Sequence, residues 1–311
     1  MDADCQAFCS TANLGAGFDV FGLALRKYSD MVSVKTTTSR KIRVLPESNW
    51  SQALPRDPNQ NSAGPPAKAL LRMSNFKGGL EIRIRKGVPY GLGLGSSGAT
   101  AAACTKCVDH LLRLDLSNDE LVRAASLGEK AVSGAAHADN VAASTLGGFT
   151  IVYDSPVRAI SLRPPKELVI VVATLKLPQH QGKTRFARRL IPQTLKLGEA
   201  VLNIGRASAI VSGFANKNIE RIGSAMHDEI AEPYREQTIP GINQARKAAL
   251  QAGAAGVAIS GAGPSIIAIV DKSREDPRGV AKAMVYGFRQ AKTESRSFIT
   301  QPAPAARILE R

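Results

Sequence analysis

Three glycine-bearing turns and one block of cations hold the residues of this chain that could do chemistry. The densest is Pro89 to Ala99, with glycines at 91, 93, 95 and 98 and serines at 96 and 97, between the alternating segment Leu80 to Lys86 and the small-residue run from Thr100 to Ala103. That order reads as strand, loop, helix. Glycine permits positive φ and removes the side chains that would hold a ligand off the backbone, so successive N–H groups can converge on an anion. A helix starting near Ser97 adds its unpaired first-turn N–H groups and the positive end of its dipole, and the expected ligand is a nucleotide phosphate.

Other readings of this loop fit less well. A flexible connection needs no ligand at all. Gly93, Gly95 and Gly98 have the spacing of a dinucleotide fingerprint, but that fold needs a second strand ending in an acidic residue about twenty positions on. Asp115 to Glu120 instead leads into another helix pattern. The Walker Lys-Ser/Thr ending and the catalytic-loop and metal-loop motifs of protein kinases are absent from the sequence.

A second polar group comprises Glu129, His137, Asp139 and Asn140 among small residues. Singly, each suits a solvated carboxylate or a structural hydrogen-bond donor, and the group weighs more than its members. Near the start, Asn13 and Asp19 flank Gly15 and Gly17, which a surface hairpin would also explain. Near the end, Gly261 to Pro264 joins two β-rich arms as a tight turn. Between them, Lys183, Arg185, Arg188 and Arg189 crowd the start of a helix, where cations oppose the dipole and call for an anion. Cys104 and Cys107 have redox or metal spacing, yet they fall inside the helix after the glycine loop, where residues three apart share one face and simply pack.

The elements that must position these residues follow from periodicity. Strands are expected at 3–9, 20–25, 31–36, 41–45, 80–86, 148–153 and 168–173, the last apolar throughout and buried on both faces. Helices are expected from Pro65 to Met73, after the glycine loop to Leu114, from 118 to 132 behind a Ser117/Glu120 capping box, at 195–214, at 218–228 and at 277–292. Residues 46–66, with five prolines, read as a long connection, and Ile299 onward as a closing tail. Asp154 to Pro156 suggests a division into residues 1–155 and 156–311.

Composition sets the outer bounds. The chain has 311 residues, 44% hydrophobic and 22% charged, as expected of a soluble globular protein of one or two domains. No apolar run is long enough for a membrane span, and Asp2 and Asp4 interrupt any signal-like start, so a cytoplasmic protein without a membrane partner is expected. Forty-one Lys and Arg against 26 Asp and Glu leave a net charge of +15, which favours anionic partners. Aromatic residues at 5% argue against base-stacking platforms, so nucleic acid is a weak third reading.

Three glycine motifs in a fixed order, Asn13 to Asp19, Pro89 to Ala99 and Ser260 to Ser265, resemble the GHMP family of small-molecule kinases over nearly the whole chain. Within it, the first motif, His137 to Asn140 and Glu232 to Arg235 look most like the branch of threonine biosynthesis that phosphorylates homoserine. The resemblance implies an α+β fold of two lobes. The N-terminal lobe would be ribosomal-protein-S5-like with a left-handed crossover, the C-terminal lobe ferredoxin-like, and the nucleotide would lie between them. It implies an alcohol-accepting phosphotransferase using ATP and Mg²⁺ on L-homoserine, with a homodimer as one option for assembly. Another GHMP kinase, of mevalonate or shikimate type, is the runner-up.

Carried over residue by residue, the resemblance gives the phosphate cradle to Pro89, Gly91, Leu92, Gly93, Leu94, Gly95, Ser96, Ser97, Gly98 and Ala99. It gives the approach to adenine to Asn61, and the metal to Ser97 (with Ser96 as alternative) and Glu129. Arg188 and Arg235 would clamp the acceptor carboxylate, Asp19 with Asn13 would take its ammonium, and His137, Asp139, Thr184 and Gly261 would line the pocket. Asn140 would face the reacting hydroxyl. An amide cannot accept a proton at neutral pH, so the expected reaction is direct transfer, with the hydroxyl proton leaving to the phosphate or to water.

Overall fold

In the computed structural model, which describes residues 1–47, 54–133, 138–176 and 183–310, the alternating segments resolve into two sheets. Strands β1 (Asp2–Asn13) and β2 (Gly17–Thr37) form a long antiparallel pair whose register shifts between Phe8 and Cys9 and again between Ala12 and Asn13. β2 also pairs with β4 (Gly79–Arg85), and β4 pairs in parallel with β3 (Ile42–Pro46). The connection between β3 and β4 contains α1 (Gly64–Met73), whose Pro65 and Pro66 sit in the first turn, where a missing N–H costs nothing. The order of the main path is β11 (Arg307–Leu309), β1, β2, β4, β3, with β5 (Phe149–Tyr153) branching from β2 and β6 (Arg158–Leu162) pairing with β5.

Three helices cover this sheet: α2 (Ser96–Leu112), α3 (Asn118–Ser133) and α4 (Asp139–Leu146). Ala101, Ala125 and Val141 form the small buried cluster that packs them together. The inner face of the sheet gives Val32, Val34, Leu80, Ile82 and Ile84 to a core that Cys104 and Cys107 join from α2. Both cysteines are free and buried, and burial pushes their thiols well above the ordinary range, as a packing role requires.

The second sheet contains β7 (Leu168–Leu175), β8 (Gly256–Ile259), β9 (Ile266–Asp271) and β10 (Ser295–Thr300), ordered β10-β7-β9-β8 and antiparallel throughout. Between β7 and β8 run α5 (Lys183–Arg189), α6 (Leu197–Ala215), α7 (Ile219–Ser224), α8 (Glu232–Arg235) and α9 (Ile242–Gln251); α10 (Pro277–Gln290) links β9 to β10. This is the split β-α-β of a ferredoxin-like lobe. Every residue of β7 is buried, as its unbroken apolar run requires. One core cluster joins the sheets: Phe149 of β5 stacks on Phe214 of α6 at 3.8 Å beside Ile170, Val172 and Ile267.

Sheet membership does not follow the division expected at 155/156. β6 continues the first sheet beyond it, and the segment expected as a plain tail holds the end of β10 and all of β11 (Arg307–Leu309), which returns to pair with β1. Neither β6 nor β10 has a clean apolar alternation, so their pairing partners decide their state. Among the described residues, no helix is long and apolar enough to cross a membrane.

Candidate active site

The loop between β4 and α2 takes the conformation its glycines allow: Gly91, Gly93 and Gly95 have φ of +73°, +72° and +63°. Side chains are barred there by space as well. A Cβ on Gly93 would lie 2.3 Å from the Ser260 carbonyl oxygen, and one on Gly95 would lie 2.1 Å from Ser10 Oγ and 2.8 Å from Asn140 Oδ1. The N–H groups of the three glycines find no acceptor among the described residues. Gly95, at the N-cap of α2, gives the helix no side-chain cap, so first-turn donors stay open to an anion.

Hydrogen bonds gather the three glycine motifs into one cleft. Ser10 N–H donates to the Leu94 carbonyl (3.1 Å) and Gly261 N–H to that of Ala12 (3.2 Å). Ser260 Oγ donates to the Gly93 carbonyl (2.7 Å), and Asn13 Nδ2 to that of Gly261 (3.0 Å). The cleft is lined by Asn13, Asp19, Pro89, Gly91, Gly93, Leu94, Gly95, Ser96, Ser97, Glu129, Asp139, Asn140, Arg188, Arg235 and Gly261, all singled out in the sequence. It is lined as well by Val132, by Tyr90, Ala262 and Gly263 of the glycine motifs and by Arg185 of the cation block, to none of which the resemblance gave a role.

Helix packing delivers the oxygen donors. Gly128 lets α3 approach the chain before α1, since a Cβ there would lie 2.2 Å from the Ser62 carbonyl oxygen, and the neighbouring Glu129 reaches the cleft while 8% exposed. The two serines differ. Both line the cleft, but Ser96 is buried and its Oγ donates to the Val88 carbonyl (3.1 Å), whereas Ser97 is half-buried. Hard oxygen donors on a phosphate cradle suit Mg²⁺, which needs few protein ligands when phosphate oxygens supply the rest. Among the described residues no group of three or more His, Cys, Asp or Glu forms a metal cage.

Asn140 sits at the start of α4, and its Oδ1 accepts from Ser10 Oγ (2.9 Å). That bond leaves the amide NH₂ as the group free to meet a hydroxyl oxygen, and an NH₂ orients without taking a proton. Its neighbour Asp139 is buried and accepts from the Asn140 N–H (2.7 Å).

The other wall sets both signs of charge side by side. Arg188 of α5 pairs with Asp19, and Asp19 N–H donates to Asn13 Oδ1 (3.2 Å). Arg235 is 5% exposed, and burial holds its guanidinium below the ordinary value. It donates to the Gly261 carbonyl (2.9 Å), while its Nε has no hydrogen-bond partner among the described residues. The Phe18 ring lies 5.5 Å from the Arg188 guanidinium and 5.3 Å from that of Arg235, so one aromatic side chain spaces both cations.

Four expected residues stand elsewhere. Asn61 is buried and spends its amide locally, donating to the Pro55 carbonyl (2.9 Å) and accepting from the Ala63 N–H (3.0 Å), so it shapes the entry to α1 and does not line the cleft. Leu92 packs against the shared core, and Gly98 and Ala99 are buried in the first turn of α2. His137 lies outside the described residues, as does the side chain of Thr184, whose backbone belongs to α5. Phe18, inside the first glycine motif, and Ser10, just before it, carry no sequence signal of their roles, since each acts on residues far away in the chain.

Fold and cleft together define a class, and two family models meet the chain where these features lie. The model described as GHMP kinases N terminal domain matches residues 64–148, and that described as GHMP kinases C terminal matches residues 210–288. The homoserine kinase of Aeropyrum pernix is 41% identical over 286 residues, covering 91% of this chain and 90% of its own. That of Haloquadratum walsbyi is 40% identical over 295 residues, covering 95% and 96%. The crystal structure of homoserine kinase from Cytophaga hutchinsonii superposes with a TM-score of 0.90 at 30% identity, over 99% of this chain and 97% of that one. The chain belongs to the homoserine kinases within the GHMP kinase family.

Proposed function

We propose that this protein transfers the terminal phosphoryl group of ATP to the side-chain hydroxyl of L-homoserine, forming O-phospho-L-homoserine, with Mg²⁺ as the metal. The observation that carries the acceptor is the Asp19–Arg188 pair beside the buried Arg235. An α-ammonium suits Asp19 and an α-carboxylate suits the two planar guanidinium groups, so a free amino acid satisfies both signs at once. Mevalonate would use the cations and leave Asp19 without an ammonium partner, and a neutral sugar would use neither.

The glycine N–H groups and the first turn of α2 would bind the phosphates, and Ser97 and Glu129 would hold the metal. When bound, Mg²⁺ neutralises negative charge on the outer phosphates. Asn140, steadied by Ser10, would orient the hydroxyl for in-line attack, and its proton would leave to the transferred phosphate or to water. The protein's work is then chiefly positioning and charge complementarity.

Replacing Arg235 tests the clamp. Truncating one member of a buried charge pair costs on the order of 2–5 kcal/mol. Arg235→Met is therefore expected to raise the homoserine KM by at least about 30-fold while the ATP KM stays within about twofold. An unchanged homoserine KM in a folded variant would remove Arg235 from the acceptor site. A homodimer belongs to the same proposal, to be withdrawn if the chain sediments as a monomer.

A further inference from the structure

At the foot of the glycine loop lies a buried charge pair, Asp30 and Lys86, that does not line the cleft and that no part of the proposed reaction uses. Asp30 of β2 is fully buried, and the side chain of Lys86, the residue after β4, is 5% exposed. Asp30 Oδ1 accepts from the backbone N–H groups of Gly87 and Val88, both at 3.0 Å. Asp30 Oδ2 accepts from Thr100 Oγ1 (2.6 Å) and from Lys86 Nζ. Lys86 Nζ also donates to the Ser96 carbonyl (2.7 Å) and to Thr100 Oγ1 (3.0 Å). Ser96 Oγ closes the ring by donating to the Val88 carbonyl (3.1 Å).

These bonds fall at the two ends of the loop and nowhere within it. Gly87 and Val88 are where the chain enters; Ser96 and Thr100 are where it leaves as α2. A buried ion pair is a poor way to gain stability, because the desolvation of both charges offsets their attraction, and a well-packed apolar pair of the same volume often does as well. What an ion pair with directed hydrogen bonds adds is fixed geometry. Here it sets the distance between the two ends of a loop whose glycines carry little stiffness of their own.

We propose that Asp30, Lys86 and Thr100 are positioning residues that hold the loop open in its anion-binding shape before nucleotide arrives, and so set the affinity for ATP. This rests on reading the loop as the phosphate cradle. A loop already ordered loses less entropy when phosphate binds, so loosening its ends weakens nucleotide binding and leaves the acceptor wall unaffected. Lys86 shows no phosphate-binding motif in the sequence, and Asp30 lies far from the loop in the chain, so only the fold brings the cluster together.

Single removals leave an uncompensated buried charge and can unfold the chain, so the test is the double variant Asp30→Asn with Lys86→Met. Its asparagine oxygen can still accept from Gly87 and Val88, no charge is left buried, and the Ser96 carbonyl loses its tie to Lys86. Two readouts apply: steady-state KM for ATP and for homoserine, and amide hydrogen exchange over residues 89–97 in the free protein. The expected result is a folded variant whose ATP KM rises ten- to hundredfold, whose homoserine KM stays within twofold, and whose loop amides exchange at least tenfold faster. Unchanged ATP KM and loop exchange, or an equal rise in both KM values, would overturn the clamp while leaving the cradle in place. If the wild-type loop amides gain no protection from Mg-ADP, the cradle reading itself fails, and the clamp with it.

Discussion

Asn140 is where the chemistry of single residues bears most on mechanism. Its oxygen accepts from Ser10, so in the proposed reaction the group that Asn140 would turn to the acceptor is an amide donor. Orientation by one amide is worth roughly tenfold to a hundredfold in rate, on the order of 1.4–2.8 kcal/mol, less than the removal of a metal-holding carboxylate. Steady-state kinetics of Asn140→Ala should therefore show a smaller fall in kcat than Glu129→Ala, with homoserine KM little changed. Equal losses would mean that Asn140 does more than orient. At this scale the sequence was most readable where chemistry forces one residue type. Gly91, Gly93 and Gly95 of the cradle, Glu129, Asp19, Arg188 and Arg235 all line the cleft. Asp30 was hidden, and so were the particular roles of Phe18 in its turn and of Arg185 among four cations, because such residues gain meaning only from what the fold sets beside them.

Elements decide how firmly those residues are held. The short α8 carries Arg235, and its first residue, Glu232, accepts from the Ile259 N–H (2.6 Å) and pairs with Arg246 (2.8 Å). Burial pushes the Glu232 carboxyl up to about 7, against the opposing pull of Arg246 and with Asp228 and Glu236 nearby. A carboxyl raised in the folded state stabilises fully below its unfolded value, near 4.5, and that contribution is lost as pH rises through about 7. The shift corresponds to roughly 3 kcal/mol. Denaturant unfolding at pH 5 and pH 8 should show the wild type losing more stability on this rise than Glu232→Gln, which cannot titrate. Parallel losses in both proteins would show that Glu232 titrates normally. Elements with a strong period, such as β7, α2 and α10, were legible in the sequence to within a few residues. β6, β10 and β11 were not, because short strands of mixed character owe their state to the strand beside them.

Across the whole molecule, two sheets with a shared core bring together motifs that begin at residues 13, 89 and 260. The order of those motifs was visible in the sequence; that Ser260 closes on Gly93 and Asn13 on Gly261 was not, since these contacts span most of the chain. The net charge of +15 fits attraction of an anionic nucleotide toward the cleft, a long-range effect that salt weakens. The central claim is that the cleft joins ATP to an amino-acid alcohol. It is tested most directly by coupled ADP release with ATP and Mg²⁺, comparing L-homoserine, mevalonate, shikimate and galactose as acceptors. Turnover is expected with L-homoserine and to exceed that with each of the others at least a hundredfold. No turnover of L-homoserine under conditions where another alcohol reacts would contradict the assignment.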